Sequence, residues 1–284
     1  MAALLAGVLA AVLLASTAGG AASARHHGPF AGLGTWIDVY SAEWANPEAA
    51  VAEMAGHGVR TLYLQTGNYN HAAPVFRPVR AGRFIDAAHA AGLRVVAWYL
   101  PSFLSVKVAE AHALAAIHFR TANGERFDGF ALDVEATKVR SLKVRDHRLL
   151  AVSARLRHAV PPRYPLGAIT PSPVGMSPSY WPEIPYRSLT HYYNAFLPMA
   201  YSTLRGMRGT ARTAAYLIET VSDIRAASAK PSFPIHLIGG LSAYMGTKET
   251  AGFVRAVART KPSGYSLYTF GHTTPAAWRA LAGH

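Results

Sequence analysis

Apolar runs rich in β-branched and aromatic residues recur along the chain, and stretches of helical period fill the spaces between them. This alternation is the signature of repeated βα units and a parallel sheet. The pattern predicts strands over 34–40, 59–66, 93–100, 127–135, 164–170, 195–201, 234–240 and 264–270. Eight such units are the number that closes a (β/α)8 TIM barrel, an α/β fold.

The segments between carry helix signals. Asn46-Pro47-Glu48 offers a cap, a proline at the first helical position and an acid in the first turn. Leu142, Leu149, Val152, Leu156 and Val160 recur at helical spacing, and Thr274-Pro275 opens a last helix through Trp278 and Leu281. Gly58, Gly92 and Gly264 precede strands two, three and eight, where a helix C-terminus favours a left-handed residue. There is no internal repeat and no Gly/Ser-rich or Pro-rich linker. A single barrel over 32–284 is therefore predicted, preceded by a secretory signal over 1–24 and a flexible tail over 25–31. The signal reading rests on the Ala/Leu/Val run over 3–16 and the small residues Ala22-Ser23-Ala24, although a basic leader is missing. The run is short for a membrane span, and no later stretch is long enough.

The fourth predicted strand breaks the apolar rule. In Phe127-Asp128-Gly129-Phe130-Ala131-Leu132-Asp133-Val134-Glu135, alternation turns Ala131, Asp133 and Glu135 to one face. Two acids on a covered face are costly unless they are paired, hydrogen-bonded or open to a cleft. A salt bridge to one of the many arginines is one resolution, and chemistry is the other. In a barrel, catalytic groups gather at the C-terminal ends of the strands. Those ends hold Asp38, Gln65, Trp98, Asp133, Glu135, Met199 and Tyr201. Acids, aromatics and an amide on one rim suit a sugar, whose faces stack on rings and whose hydroxyls need polar partners. Glycosidic cleavage needs a proton donor and a group that stabilises the developing cation, and two carboxyls normally supply both. Asp133 and Glu135 have backbones roughly 7 Å apart at strand rise. Glu135, nearer the rim, is the expected general acid with a raised pKa, and Asp133 is the partner expected to stay ionised. Asp38 is a third acid at the same mouth. Tyr201, Trp98 and Gln65 each have a plainer reading as core or loop support.

Composition narrows the partners. Against 15 acidic residues stand 28 basic ones, a net charge of +13, and a basic exported protein concentrates on anionic surfaces such as cell-wall polymers. No nucleic-acid recognition motif accompanies the charge. Lys138, Arg140, Lys143, Arg145, Arg148, Arg155 and Arg157 crowd one segment and read first as a solvated helix face. Cysteine is absent, which excludes disulfides, thiol nucleophiles and zinc–thiolate sites. No His-x-His, His-Glu-x-x-His, Gly-x-Ser-x-Gly or phosphate-loop motif appears, so no cofactor is expected. Asp38, Asp133 and Glu135 together could suit a hard cation such as Mg2+, which usually arrives with a phosphate substrate. The expected protein is a secreted or wall-associated monomer acting on a polysaccharide.

The fourth strand resembles the Asp-x-x-Asp-x-Asp-x-Glu signature of family 18 chitinases and endoglycosidases, with Asp128, Asp133 and Glu135 at matching positions. Met199-Ala200-Tyr201 resembles that family's strand-six Met-x-Tyr. The resemblance implies that Glu135 is the acid, that Asp133 orients the substrate's 2-acetamido group, and that Tyr201 helps hold that group as an internal nucleophile. Ala131 stands where the family has a second aspartate, and Ser202 where an aspartate usually follows the tyrosine. Gly34 to Trp44 and Leu132-Asp133-Val134-Glu135 more weakly resemble family 25 lysozymes, whose opening aspartate would correspond to Asp38. Both resemblances imply hydrolysis between amino sugars. A barrel that binds wall glycans without cleaving them, and a hydrolase of acidic polysaccharide, are the alternatives.

Overall fold

Each apolar run forms a strand, and the strands close on themselves. The structure is a computed structural model that describes residues 28–284; the predicted signal over 1–24 and residues 25–27 lie outside them. Strands β1 (Gly32–Ile37), β2 (Thr61–Asn68), β3 (Arg94–Leu100), β4 (Gly129–Asp133), β5 (Leu166–Pro171), β6 (Ala195–Met199), β7 (His236–Leu241) and β8 (Gly264–Tyr268) pair in chain order. All pairings are parallel, and β8 closes on β1 through Gly32 opposite Gly264 and Leu33 opposite Tyr265. Helices α1 (Pro47–Gly56), α2 (Pro78–Ala90), α3 (Val106–Ile117), α4 (Leu142–Ala159), α5 (Tyr186–Leu189), α6 (Thr210–Ser228), α7 (Thr247–Thr260) and α8 (Pro275–Leu281) alternate with the strands. The fold is a single (β/α)8 barrel. No helix among the described residues is long and apolar enough to cross a membrane.

Several local signals act as read. Pro47 and Pro275 open α1 and α8, and the Thr274 hydroxyl caps α8 by accepting from the Ala277 N–H. Gly58 and Gly92 take φ of 78° and 74° beyond α1 and α2. Others differ. The Asn46 side chain makes no cap, and Glu48 instead grips Arg83 through two bonds of 2.7 and 2.6 Å. Gly264 is a strand residue rather than a helix terminator, and Lys261 takes the left-handed position after α7. A Cβ at Gly264 would lie 2.3 Å from both the His236 Nδ1 and the Phe30 carbonyl oxygen, so close approach explains that glycine.

Those contacts mark the barrel floor. The reading of 25–31 as a flexible tail fails for its last three residues, because Pro29, Phe30 and Ala31 are buried. Phe30 joins Trp36, Tyr63, Trp98, Ala131, Ile169, Leu197 and Ile238 in one cluster of inward-facing side chains. Its main-chain carbonyl meets the His236 Nδ1 at 3.0 Å, while the His236 Nε2 meets the Ser266 hydroxyl at 2.8 Å. Burial pushes that imidazole down to about 4, so it is neutral in the core at pH 7. Trp36 stacks on Tyr63 with centroids 4.2 Å apart and donates to the Ser266 hydroxyl at 2.8 Å. A packed floor leaves the C-terminal mouth as the interior's open end.

The basic segment is not simply a solvated face. Arg145, on α4, is buried: its Nε and Nη2 donate to the Val139 carbonyl at 2.9 and 2.7 Å, and its Nη1 donates to the Tyr180 carbonyl. Its guanidinium also lies 4.8 Å from the Trp181 ring centre. Arg148 and Arg157 hold loop carbonyls, and Arg155 pairs with Glu110 at 2.9 Å. Arg145→Ala leaves buried carbonyls without donors. It is expected to cost about 3 kcal/mol in a denaturant titration.

Candidate active site

The site is built by side chains that leave the barrel interior at the strand ends. β4 is shorter than predicted. Its ladder ends with Asp133 opposite Ile169 and the Val134 N–H donating to the Ile169 carbonyl at 2.8 Å, so Glu135 stands on the following loop. Alternation nonetheless holds through the exit, and Ala131 lies in the buried interior while Asp133 and Glu135 line one cavity above it. That cavity has a volume of about 300 Å³. Asp38, Gln65, Trp98, Met199 and Tyr201 line it as well, so every predicted site residue meets there.

Within that wall the residues divide. The Gln65 Oε1 accepts from the Val39 N–H at 2.9 Å and so braces the loop after β1. Asp38 is also committed. Its Oδ1 accepts from the Tyr40 N–H at 2.8 Å and the Ser41 hydroxyl at 3.0 Å, and its Oδ2 accepts from the Tyr268 hydroxyl at 2.9 Å. No three acidic or histidine side chains among the described residues form a group suited to a metal ion. Trp36 and Trp98 meet edge to face at 5.8 Å, and Tyr201 and Tyr268 lie 5.9 Å apart, so rings form much of the cavity surface.

Asp133 differs from Asp38. It is 3% exposed, and its Oδ1 has no hydrogen-bond partner among the described residues. The Trp98 indole N–H, in the same cavity wall, is also buried and has no acceptor among the described residues. One free acceptor and one free donor therefore share the cavity wall, which suits a ligand that brings both. Neither Asp133 nor Glu135 forms an ion pair among the described residues, so an arginine salt bridge is not what holds them.

Burial, and next the charge of Glu135, hold the Asp133 carboxyl well above the ordinary carboxylate range. Burial also raises Glu135, which is only partly covered. Both carboxyls are thus raised, Asp133 as well as Glu135, and the pair titrates as a unit rather than as one acid and one permanent anion. Burial raises the Tyr201 phenol as well, followed by the charges of Asp133, Glu135 and Asp38.

Two positions compared in the resemblance, the matching Asp128 and the departing Ser202, serve the scaffold. Asp128 precedes β4 at the opposite end of the barrel, where it accepts from the Val95 N–H at 2.7 Å and meets His89 at 3.0 Å. Ser202 is buried and donates to the Gly239 carbonyl at 3.0 Å. Sequence reasoning also missed partners. Tyr268 could have been selected from strand alternation, since it falls two residues after the inward Ser266. Tyr180, whose hydroxyl donates to the Glu135 carbonyl at 2.9 Å, lies in an irregular loop with no periodic signal.

No protein-family model and no curated protein matches the chain by sequence. Solved structures do match in shape. A chitinase from Bacteroides thetaiotaomicron aligns over 89% of this chain and 95% of its own, with a TM-score of 0.64 and 10% identity. A GH18 chitinase from Pseudoalteromonas aurantia covers 89% and 99% at a TM-score of 0.64 and 12% identity. The spore cortex-lytic enzyme SleL of Bacillus cereus covers 88% and 73% at 0.63 and 8%. The likeness establishes the fold, a (β/α)8 barrel like that of these enzymes.

Proposed function

We propose that the protein is an exported glycoside hydrolase of β-linked, N-acetylhexosamine-containing glycans, chitin-like or peptidoglycan. Glu135 is its general acid and Asp133 the carboxyl that shares the proton. The observation that carries this reading is the pair of raised carboxyls, one deep and one at the mouth of a ring-walled cavity at the C-terminal end of the strands. A chitinase, a GH18 chitinase and a cortex-lytic enzyme with the same fold support the substrate class. The apolar run over 3–16 supports export.

In this reading the sugar stacks over the aromatic wall with its bond beside Glu135. Glu135 gives its proton to the leaving oxygen as the bond breaks. The substrate's own acetamido oxygen attacks the sugar carbon, with Asp133 and the Tyr201 hydroxyl orienting that group. Water then opens the cyclic intermediate and returns a proton to Glu135.

Release of reducing ends from chito-oligosaccharides and peptidoglycan tests the assignment. Because the acid must be protonated, kcat/KM is retained below the upper apparent pKa of the pair and lost as pH rises through it. The alkaline limb is expected above the ordinary Glu value of about 4.3. A second reading, glycan binding without cleavage, is favoured by Ala131, whose methyl group leaves no third carboxyl beneath Asp133. Retention of polymer with no new reducing ends would select it.

A further inference from the structure

A second cavity of about 290 Å³ adjoins the first and shares Glu135, Met199 and Tyr201 with it. The substrate path therefore continues past the acid toward the loops after β5 and β6. The two halves differ in charge. Asp38 and Asp133 line only the first and Glu135 lines both, whereas Arg205 is a cation in the wall of the second alone. Two hydroxyls of that wall are committed. The Tyr180 hydroxyl is spent on the Glu135 carbonyl, and the Ser172 hydroxyl lies 2.8 Å from that of Thr220. Arg205 uses Nη1 to donate to the Gly175 carbonyl at 2.8 Å, and it has no ion-pair partner among the described residues. A guanidinium presents five donors in a fixed fork, which leaves edges suited to a carboxylate.

Resting on the reading of Glu135 as a glycosidase acid, we propose that this second cavity is a subsite for a carboxylate-bearing sugar, with Arg205 binding the carboxylate. The preferred glycan then alternates or mixes neutral and anionic units, and the sugar beside the scissile bond carries the charge. Two sources supply that chemistry: a lactyl ether, as in peptide-free peptidoglycan strands, and a uronate, as in hyaluronan. The excess of positive charge draws either polymer toward the protein, but only a local cation distinguishes one sugar from its neighbour. Arg205 also ties the loop after β6 to Gly175, so the test must separate recognition from support.

Affinity and turnover are measured for the full protein on three probes of matched length: peptide-free peptidoglycan strands, hyaluronan oligosaccharides and chito-oligosaccharides. At least one anionic probe is expected to bind about tenfold more tightly than the neutral one, as a charge-assisted contact provides. Arg205→Gln should abolish that preference by weakening the anionic probes about tenfold more than the neutral one, and Arg205→Lys should retain part of it. Arg163→Gln, which removes one positive charge at the opposite barrel face, should leave the preference intact. Equal affinity for all probes, or equal weakening of neutral and anionic probes by Arg205→Gln, overturns the subsite. Anionic preference without cleavage of any probe upholds the subsite and removes the hydrolase reading. Cleavage of the neutral probe without anionic preference does the reverse. The arm that binds more tightly identifies the source of the carboxylate.

Discussion

Glu135→Gln is expected to lower kcat by about two to four orders of magnitude while leaving substrate affinity nearly unchanged. The exchange keeps the shape of the side chain and removes its transferable proton, and general acid catalysis contributes on that scale. Its main-chain carbonyl remains held by the Tyr180 hydroxyl, so the loop has no reason to move. Because burial raises the Glu135 carboxyl and its charge disfavours that of Asp133, losing the charge should not weaken the fold, and Tm should hold or rise slightly. Single-turnover kinetics on chito-oligosaccharides, beside a melting curve, provide the measurement. Undiminished turnover in this variant would remove Glu135 as the acid.

Asp133→Asn is expected to move activity and stability in opposite directions. Turnover should fall by about a hundredfold or more, since the pair loses the carboxyl that shares the proton and orients the acetamido group. Stability should rise at neutral pH. The native Asp133 is raised by burial and by Glu135, and its Oδ1 has no hydrogen-bond partner among the described residues. Between the unfolded value of about 3.9 and the raised folded value, the folded chain holds a proton that the unfolded chain releases. Stability contributed by this group is therefore greatest below about 4 and declines as pH rises through that window. Asparagine has no such proton. The gain in Tm of Asp133→Asn over the native protein should widen from pH 4 to pH 8, and a constant gain would contradict the burial argument.

The barrel was legible because it depends on alternation that the sequence states openly. Trp36, Tyr63, Trp98, Ala131, Ile169 and Leu197 recur inward on the six successive strands β1 to β6, and no distant contact is needed to read them. The acids were legible for the converse reason, since a carboxyl two residues past a fully buried alanine is out of place unless it faces a cleft. What alternation could not give was the state of each acid. Asp38 and Asp133 look alike as strand-end aspartates. One has hydrogen bonds to Tyr40, Ser41 and Tyr268, whereas the other keeps an oxygen unpaired. Part of that difference is set by a residue 230 positions away along the chain, Tyr268. Arg145 was misread because charge density predicts solvent, while the loop carbonyls of Val139 and Tyr180 that draw it inward leave no trace in periodicity. The irregular loop carrying Tyr180 hid a partner of Glu135 for the same reason.

The seat of Phe30 also bears on the order in which the molecule can be made. Its carbonyl meets a histidine 206 residues further along, and its ring occupies space beside Gly167. A chain synthesised from its N-terminus exposes this phenylalanine early and can house it only after β7 and β8 exist. Contacts of such sequence separation are slow to form, because the entropy of closing the loop is lost before the contact is gained. Sealing of the floor is therefore a late event. Until it occurs, the half-built barrel presents apolar interior to whatever escorts it.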